Sequence, residues 1–106
     1  MRYRHSAALG AALALCASPA LAQQGAGNPV QACRVCHGLD GVGTNPMIPN
    51  IGGQSAEYLS KQLQDFRAGR REDPQMTIVA SGLTDEDIKA LADWYASITA
   101  TYALPE

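Results

Sequence analysis

Histidine is nearly missing from this chain: its 106 residues contain only His5 and His37. Cysteine is scarce as well, with Cys16, Cys33 and Cys36. Aromatic residues make up 6% of the chain, with a single Trp and a single Phe. No stretch alternates apolar and polar residues over a strand's length, and there are no internal repeats or low-complexity tracts. Basic residues are outnumbered, eight against ten acidic ones, for a formal net charge of −2. Each shortage excludes something. Without a basic patch, nucleic acid is a poor partner. Without alternation, a β fold has no signal. Three cysteines cannot form a disulfide framework of the kind small secreted domains use.

The first residues set the compartment. Arg2, Arg4 and His5 make a basic start, and residues 7–17 form an apolar run. Ser18-Pro19 breaks that run, and Ala20-Leu21-Ala22 is a small-residue cleavage site. This is the three-part grammar of a secretory signal peptide, and the run is shorter than the roughly 20 residues needed to span a bilayer. The reading is therefore a signal peptide over 1–22, cleaved after Ala22, and a periplasmic protein. Leu15 directly before Cys16 speaks against a lipoprotein site. Cleavage leaves residues 23–106 with six basic and ten acidic side chains, a formal charge of −4. It also leaves His37 as the sole histidine and Cys33 and Cys36 as the sole cysteines. Two imidazole ligands from one chain are then impossible. A structural zinc site, which takes four Cys/His ligands, lacks one.

Those three residues stand together as Cys33-Arg34-Val35-Cys36-His37. C-x-x-C-H is the attachment spacing for c-type haem. Two intervening residues place the sulfurs about one helical turn apart, where they can add to the two vinyl groups of one haem. His37 is then placed to bring its imidazole to the iron. The competing reading of C-x-x-C, a thiol–disulfide oxidoreductase, calls for a strand–helix–strand setting, and no strand-like stretch precedes Cys33. The sequence predicts one covalent haem c, which would also staple a chain too short for a large core. Two thioethers compete for the other axial position, Met47 and Met76. The chain must pass round the haem edge to reach the face opposite His37. That path favours Met76, with Met47 as the alternative. With neither bound, the iron would stay open to a small ligand or peroxide.

The remaining chain reads as helices and loops. Asn28-Pro29 is a helix start, Asn as cap and Pro at the first helical position, for a short helix ending near His37-Gly38. Residues 38–53, rich in Gly and Pro, read as a loop laid on a flat cofactor, the glycines allowing close backbone approach. Ser55 caps a helix over 55–68, with Leu59, Leu63 and Phe66 on one face, a Glu57–Lys61 pair on the other, and Gly69 as its stop. Arg70 to Gln75 reads as a solvated connector broken by Pro74. Leu83-Thr84-Asp85-Glu86-Asp87-Ile88 combines a cap, a capping-box acid and a hydrophobic staple. Ile88, Leu91, Ala92, Tyr95 and Ile98 continue it as an apolar stripe. The fold class is all-α, three to four short helices. A flexible leader spans 23–28, the domain 29–100 and a fraying tail 101–106.

Set side by side, Cys33 to Gly38, Ile48-Pro49-Asn50-Ile51-Gly52-Gly53-Gln54, Phe66-Arg67-Ala68-Gly69, Met76 and Leu83 to Ser97 resemble the small bacterial class I cytochromes c. They are most similar to one haem unit of the dihaem cytochromes of that class. The resemblance implies that the helices wrap one haem and that Met76, seven residues before Leu83, is the second ligand. It implies that Pro49 offers its backbone carbonyl to Nδ1 of His37, and that Gln54, Tyr58 and Arg67 lie near the haem or its propionates. The function it implies is single-electron carriage in the periplasm without catalysis. Partners would be transient: a quinol-oxidising complex or dehydrogenase as donor, a terminal oxidase or reductase as acceptor. Alternatives are a permanent cytochrome subunit of a dehydrogenase or reductase, or a haem protein with an open axial site. One departure stands out. The helix before Cys33 is shorter than the family's, which weakens its expected crossing with the last helix.

Overall fold

A computed structural model of the chain describes residues 27–106 as four helices joined by ordered loops. The signal peptide expected over 1–22 lies outside the described residues. Helix α1 spans Val30–His37, α2 Ala56–Ala68, α3 Met76–Ser81 and α4 Asp85–Ala96. There is no strand among the described residues, so the all-α expectation holds. No helix among them is long and apolar enough to cross a membrane.

Each helix begins where a side chain can satisfy its free N–H groups. The Asn28 side chain accepts from Val30 N at 3.1 Å ahead of α1. Ser55 Oγ accepts from Tyr58 N at the start of α2. At α4 the bonds are reciprocal: Thr84 Oγ1 accepts from Asp87 N, and the Asp87 carboxylate accepts from Thr84 N. Gly69 closes α2 in the left-handed conformation, φ 75°, where a side chain would be strained.

Helix α3 corrects the sequence reading. Pro74 does not break a connector; it opens a helical turn. The Asp73 carboxylate accepts from Gln75 N at 2.9 Å and from Met76 N at 2.8 Å. Thr77 N already bonds Asp73 O. Proline loses nothing at a first helical position, because its missing N–H would have had no partner there.

The core joins α1, α2 and α4. Val30, Cys33, Leu59, Leu91, Ala92 and Tyr95 form one buried cluster, with Ile51, Ala56, Leu63, Leu83, Ala96 and Ile98 packed on it. Val30 and Cys33 carry α1 into the cluster that also holds Leu91, Ala92 and Tyr95 of α4. A second difference concerns Lys61. It pairs not with Glu57 but with Asp65, which also takes Arg70 at 2.8 Å. The Asp65 side chain is only 12% exposed, and a carboxylate so far withdrawn from water requires cationic partners. Glu57 has no such need.

Candidate haem-binding site

One apolar cavity of about 370 Å³ collects the residues singled out by the sequence. Helix α1 brings Cys33, Cys36 and His37 to its wall, the loop brings Met47 to Ile51, and the start of α3 brings Met76. Leu59, Leu63 and Phe66 of α2 and Leu91 of α4 supply apolar surface. Helical spacing explains the first group: residues 33, 36 and 37 lie three and four apart, hence on one face. Arg34 and Val35 point away and are exposed.

His37 is buried, and its Nδ1 lies 2.9 Å from the Pro49 carbonyl oxygen. A carbonyl can only accept, so Nδ1 carries the proton. The Nε2 lone pair is then free for a metal, and the ring is fixed in orientation. Burial pushes the Cys33 thiol up from its ordinary range, with Cys36 adding to the effect.

The loop that carries Pro49 is held by its own backbone. Thr44 N donates to Cys36 O at 2.9 Å, Ile51 N to Gly41 O at 2.7 Å, and Gly43 N to the Asn50 side chain at 2.8 Å. Its glycines serve this packing. A Cβ on Gly41 (φ 73°) would stand 2.2 Å from Gly52 N, and one on Gly43 would stand 2.0 Å from Ile48 O. Close approach is required, as expected, but here backbone meets backbone within the loop.

Helix α4 grips the same segment from the other side. Tyr95 Oη donates to Gly38 O at 2.9 Å and Trp94 Nε1 donates to Leu39 O at 3.0 Å. Burial, then Cys33 and Asp40, raises the Tyr95 phenol to about 12, so it remains a donor. The sequence reading places Tyr95 in an apolar stripe, gives Trp94 no part, and misses the clamp. Their position after a capped helix start gives no sign of bonds to residues more than fifty positions away.

Gln54 and Tyr58 line the cavity, as the resemblance implies. Arg67 does not. Its guanidinium bonds Leu83 O at 3.1 Å and Asp85 at 2.6 Å, tying α2 to the head of α4. The arginine at the cavity is Arg71, assigned by sequence to a solvated turn. Met47 and Met76 both line the cavity; Met76 is half-buried, whereas Met47 is 87% exposed.

Imidazole and thioether donors with two thiols on one wall, in apolar surroundings, are the donor set of a covalently held haem. The residues present fit that group and define a c-type haem domain. The family profile described as "Cytochrome c" matches residues 7–99, and the chain belongs to the cytochrome c family. It is 46% identical over 68 residues to cytochrome c-554(548) of Halomonas halodenitrificans, covering 61% of this chain and 82% of that protein. It is 44% identical over 71 residues to the thiosulfate dehydrogenase electron acceptor of Stutzerimonas stutzeri, covering 65% of this chain and 33% of that one. Among solved structures, reduced cytochrome c4 from Pseudomonas stutzeri superposes with a TM-score of 0.58 at 40% identity, over 63% of this chain and 38% of that chain. The chain thus spans most of one small relative and about a third of the larger ones.

Proposed function

We propose that this protein is a periplasmic monohaem cytochrome that carries single electrons between redox partners, with His37 and Met76 as axial ligands. The observation that carries the reading is the bond between His37 Nδ1 and Pro49 O. It leaves Nε2 of a buried imidazole available to a metal, one residue from Cys36 and in the same cavity that Met76 lines. Haem bound there supplies a one-electron Fe(III)/Fe(II) couple. Cys33 and Cys36 would hold it by thioether bonds, His37 and Met76 would ligate its iron, and the apolar walls from α2 and α4 would exclude water. Two ligands from the chain would leave no open site for substrate on the metal, which favours carriage over catalysis.

The acidic surplus and the likeness to an electron acceptor of a thiosulfate dehydrogenase support a dehydrogenase with a basic face as donor. The acceptor would be a terminal oxidase or reductase. A permanent subunit of such a complex is the second reading, favoured by an α1 that enters the core with Val30 and Cys33 only. Size-exclusion chromatography of the protein from its native source separates the two.

Denatured, acid-acetone-extracted protein should retain haem in a pyridine haemochrome assay; loss of all haem would sink the proposal. The ferric protein should show a thioether–iron charge-transfer band. Met76→Ala should abolish it and lower the potential by on the order of 0.1 V, within the roughly 0.8 V that axial ligands command. Met47→Ala should leave both nearly unchanged. The reverse pattern would transfer the ligand role to Met47.

A further inference from the structure

Among the described residues, Arg71 is the one arginine or lysine that lines the cavity. The basic side chains nearest it in sequence are committed elsewhere: Lys61 and Arg70 to Asp65, Arg67 to Leu83 O and Asp85. Arg71 is held in place from within the cavity. Its guanidinium lies 4.5 Å from the centroid of the Phe66 ring, and Nη1 donates to Gln62 Oε1 at 2.6 Å. Phe66 and Gln62 are themselves wall residues. A guanidinium has five N–H donors in a planar fork, and Gln62 takes one.

The wall has one other charged side chain, Asp73. Its Oδ1 accepts from the N–H groups of Gln75 and Met76, and its charge lies within electrostatic reach of Arg71, which makes no hydrogen bond to it. Haem brings two carboxylates of its own, on the edge remote from the vinyl groups. Thioether bonds at Cys33 and Cys36 would fix the vinyl edge at α1, so a cation for the carboxylate edge must come from another element. Arg71 follows α2, is exposed at the cavity's solvent edge, and presents the geometry that matches a carboxylate with two parallel bonds.

We infer that Arg71, stacked on Phe66 and braced by Gln62, is a positioning residue that pairs with a haem propionate and whose charge raises the reduction potential. The inference rests on the haem reading above. A positive charge near the iron favours the ferrous over the ferric state, because the ferric centre carries one more positive charge.

The test compares wild type with R71Q, R71K and R71H as haem-loaded proteins, by haemochrome assay and then by redox titration. R71Q should lower the Fe(II):Fe(III) ratio at a fixed poise about threefold, ~30 mV at 59 mV per decade for one electron. R71K, which keeps the charge, should keep most of the potential. R71H supplies a charge that can be switched within one folded sample. Its potential should stay near wild type below the imidazole's usual ~6.5 and fall below it at higher pH. Equal shifts for R71K and R71Q, no shift for R71Q, or a pH-independent offset for R71H would overturn the inference. Wild type without covalent haem would overturn the haem reading as well, whereas retained haem with an unshifted R71Q overturns this inference alone.

Discussion

Asp65 shows how much a single side chain can be asked to do in a small protein. Its carboxylate holds Lys61 and Arg70, and its backbone oxygen accepts from the N–H groups of Arg70 and Arg71. The chain therefore turns back after α2 around this one residue, and Arg71 leaves the turn at the cavity. Lys61 first, then Arg70, holds the Asp65 carboxyl below its usual 3.8. The folded state thus binds that proton more weakly than the unfolded chain does. The pairing contributes stability at pH above about 3.8 and loses it as pH falls through the lowered folded value. Asp65→Asn should melt at lower temperature than wild type at neutral pH, and the gap should close in acid, below pH ~4. Parallel melting curves across pH 7 to 2.5 would contradict this. At this scale Cys33, Cys36 and His37 were legible because their chemistry depends on spacing along one helix. Arg71 was not: what places it is a ring and an amide reached across the end of a helix, and no local pattern records them. Arg67 was misread for the same reason, its partners lying 16 and 18 residues away.

At the level of elements, caps were the most readable feature. Ser55, Thr84 and Asp87 make the bonds expected of them, since an N-cap is decided within four residues. Helix α3 escaped because its six residues are too few to show a period. Yet Asp73-Pro74 repeats the pairing of Asn28-Pro29, and the repetition marks a start. The element matters for the site because Met76 stands in its first turn. The N–H of Met76, then that of Gln75, holds the Asp73 carboxyl below its usual range, as expected for a cap accepting two backbone bonds. Asp73→Ala should weaken this turn by removing the acceptor of two backbone N–H groups. The charge-transfer band should then melt below the temperature of global unfolding. Asp73→Asn, which can still cap, should behave much like wild type. If the band and the helical signal melt together in Asp73→Ala, Met76 does not depend on this turn.

The whole molecule is economical in apolar burial. Nine hydrophobic residues are buried among those described, and two of them, Ala80 and Ala92, add little surface. Fully burying a larger aliphatic or aromatic side chain yields roughly 1.5–3 kcal/mol. Set against the entropy of ordering about 70 residues, that is thin. A haem filling the cavity would add contacts to α1, α2, α3 and α4 at once. The haem-free double variant Cys33→Ala/Cys36→Ala should therefore lose most of its helical circular dichroism. A native-like spectrum from haem-free protein would show that the four helices pack without the cofactor.

The acceptor that orients His37 is a main-chain atom, and this has a consequence for heredity. No coding change can delete the Pro49 carbonyl, so position 49 can drift wherever the backbone path survives. Gly41 and Gly43, which touch no imidazole, admit no Cβ at all. Mutational intolerance in this loop is thus displaced from the residue that serves the ligand to the glycines that let the loop close.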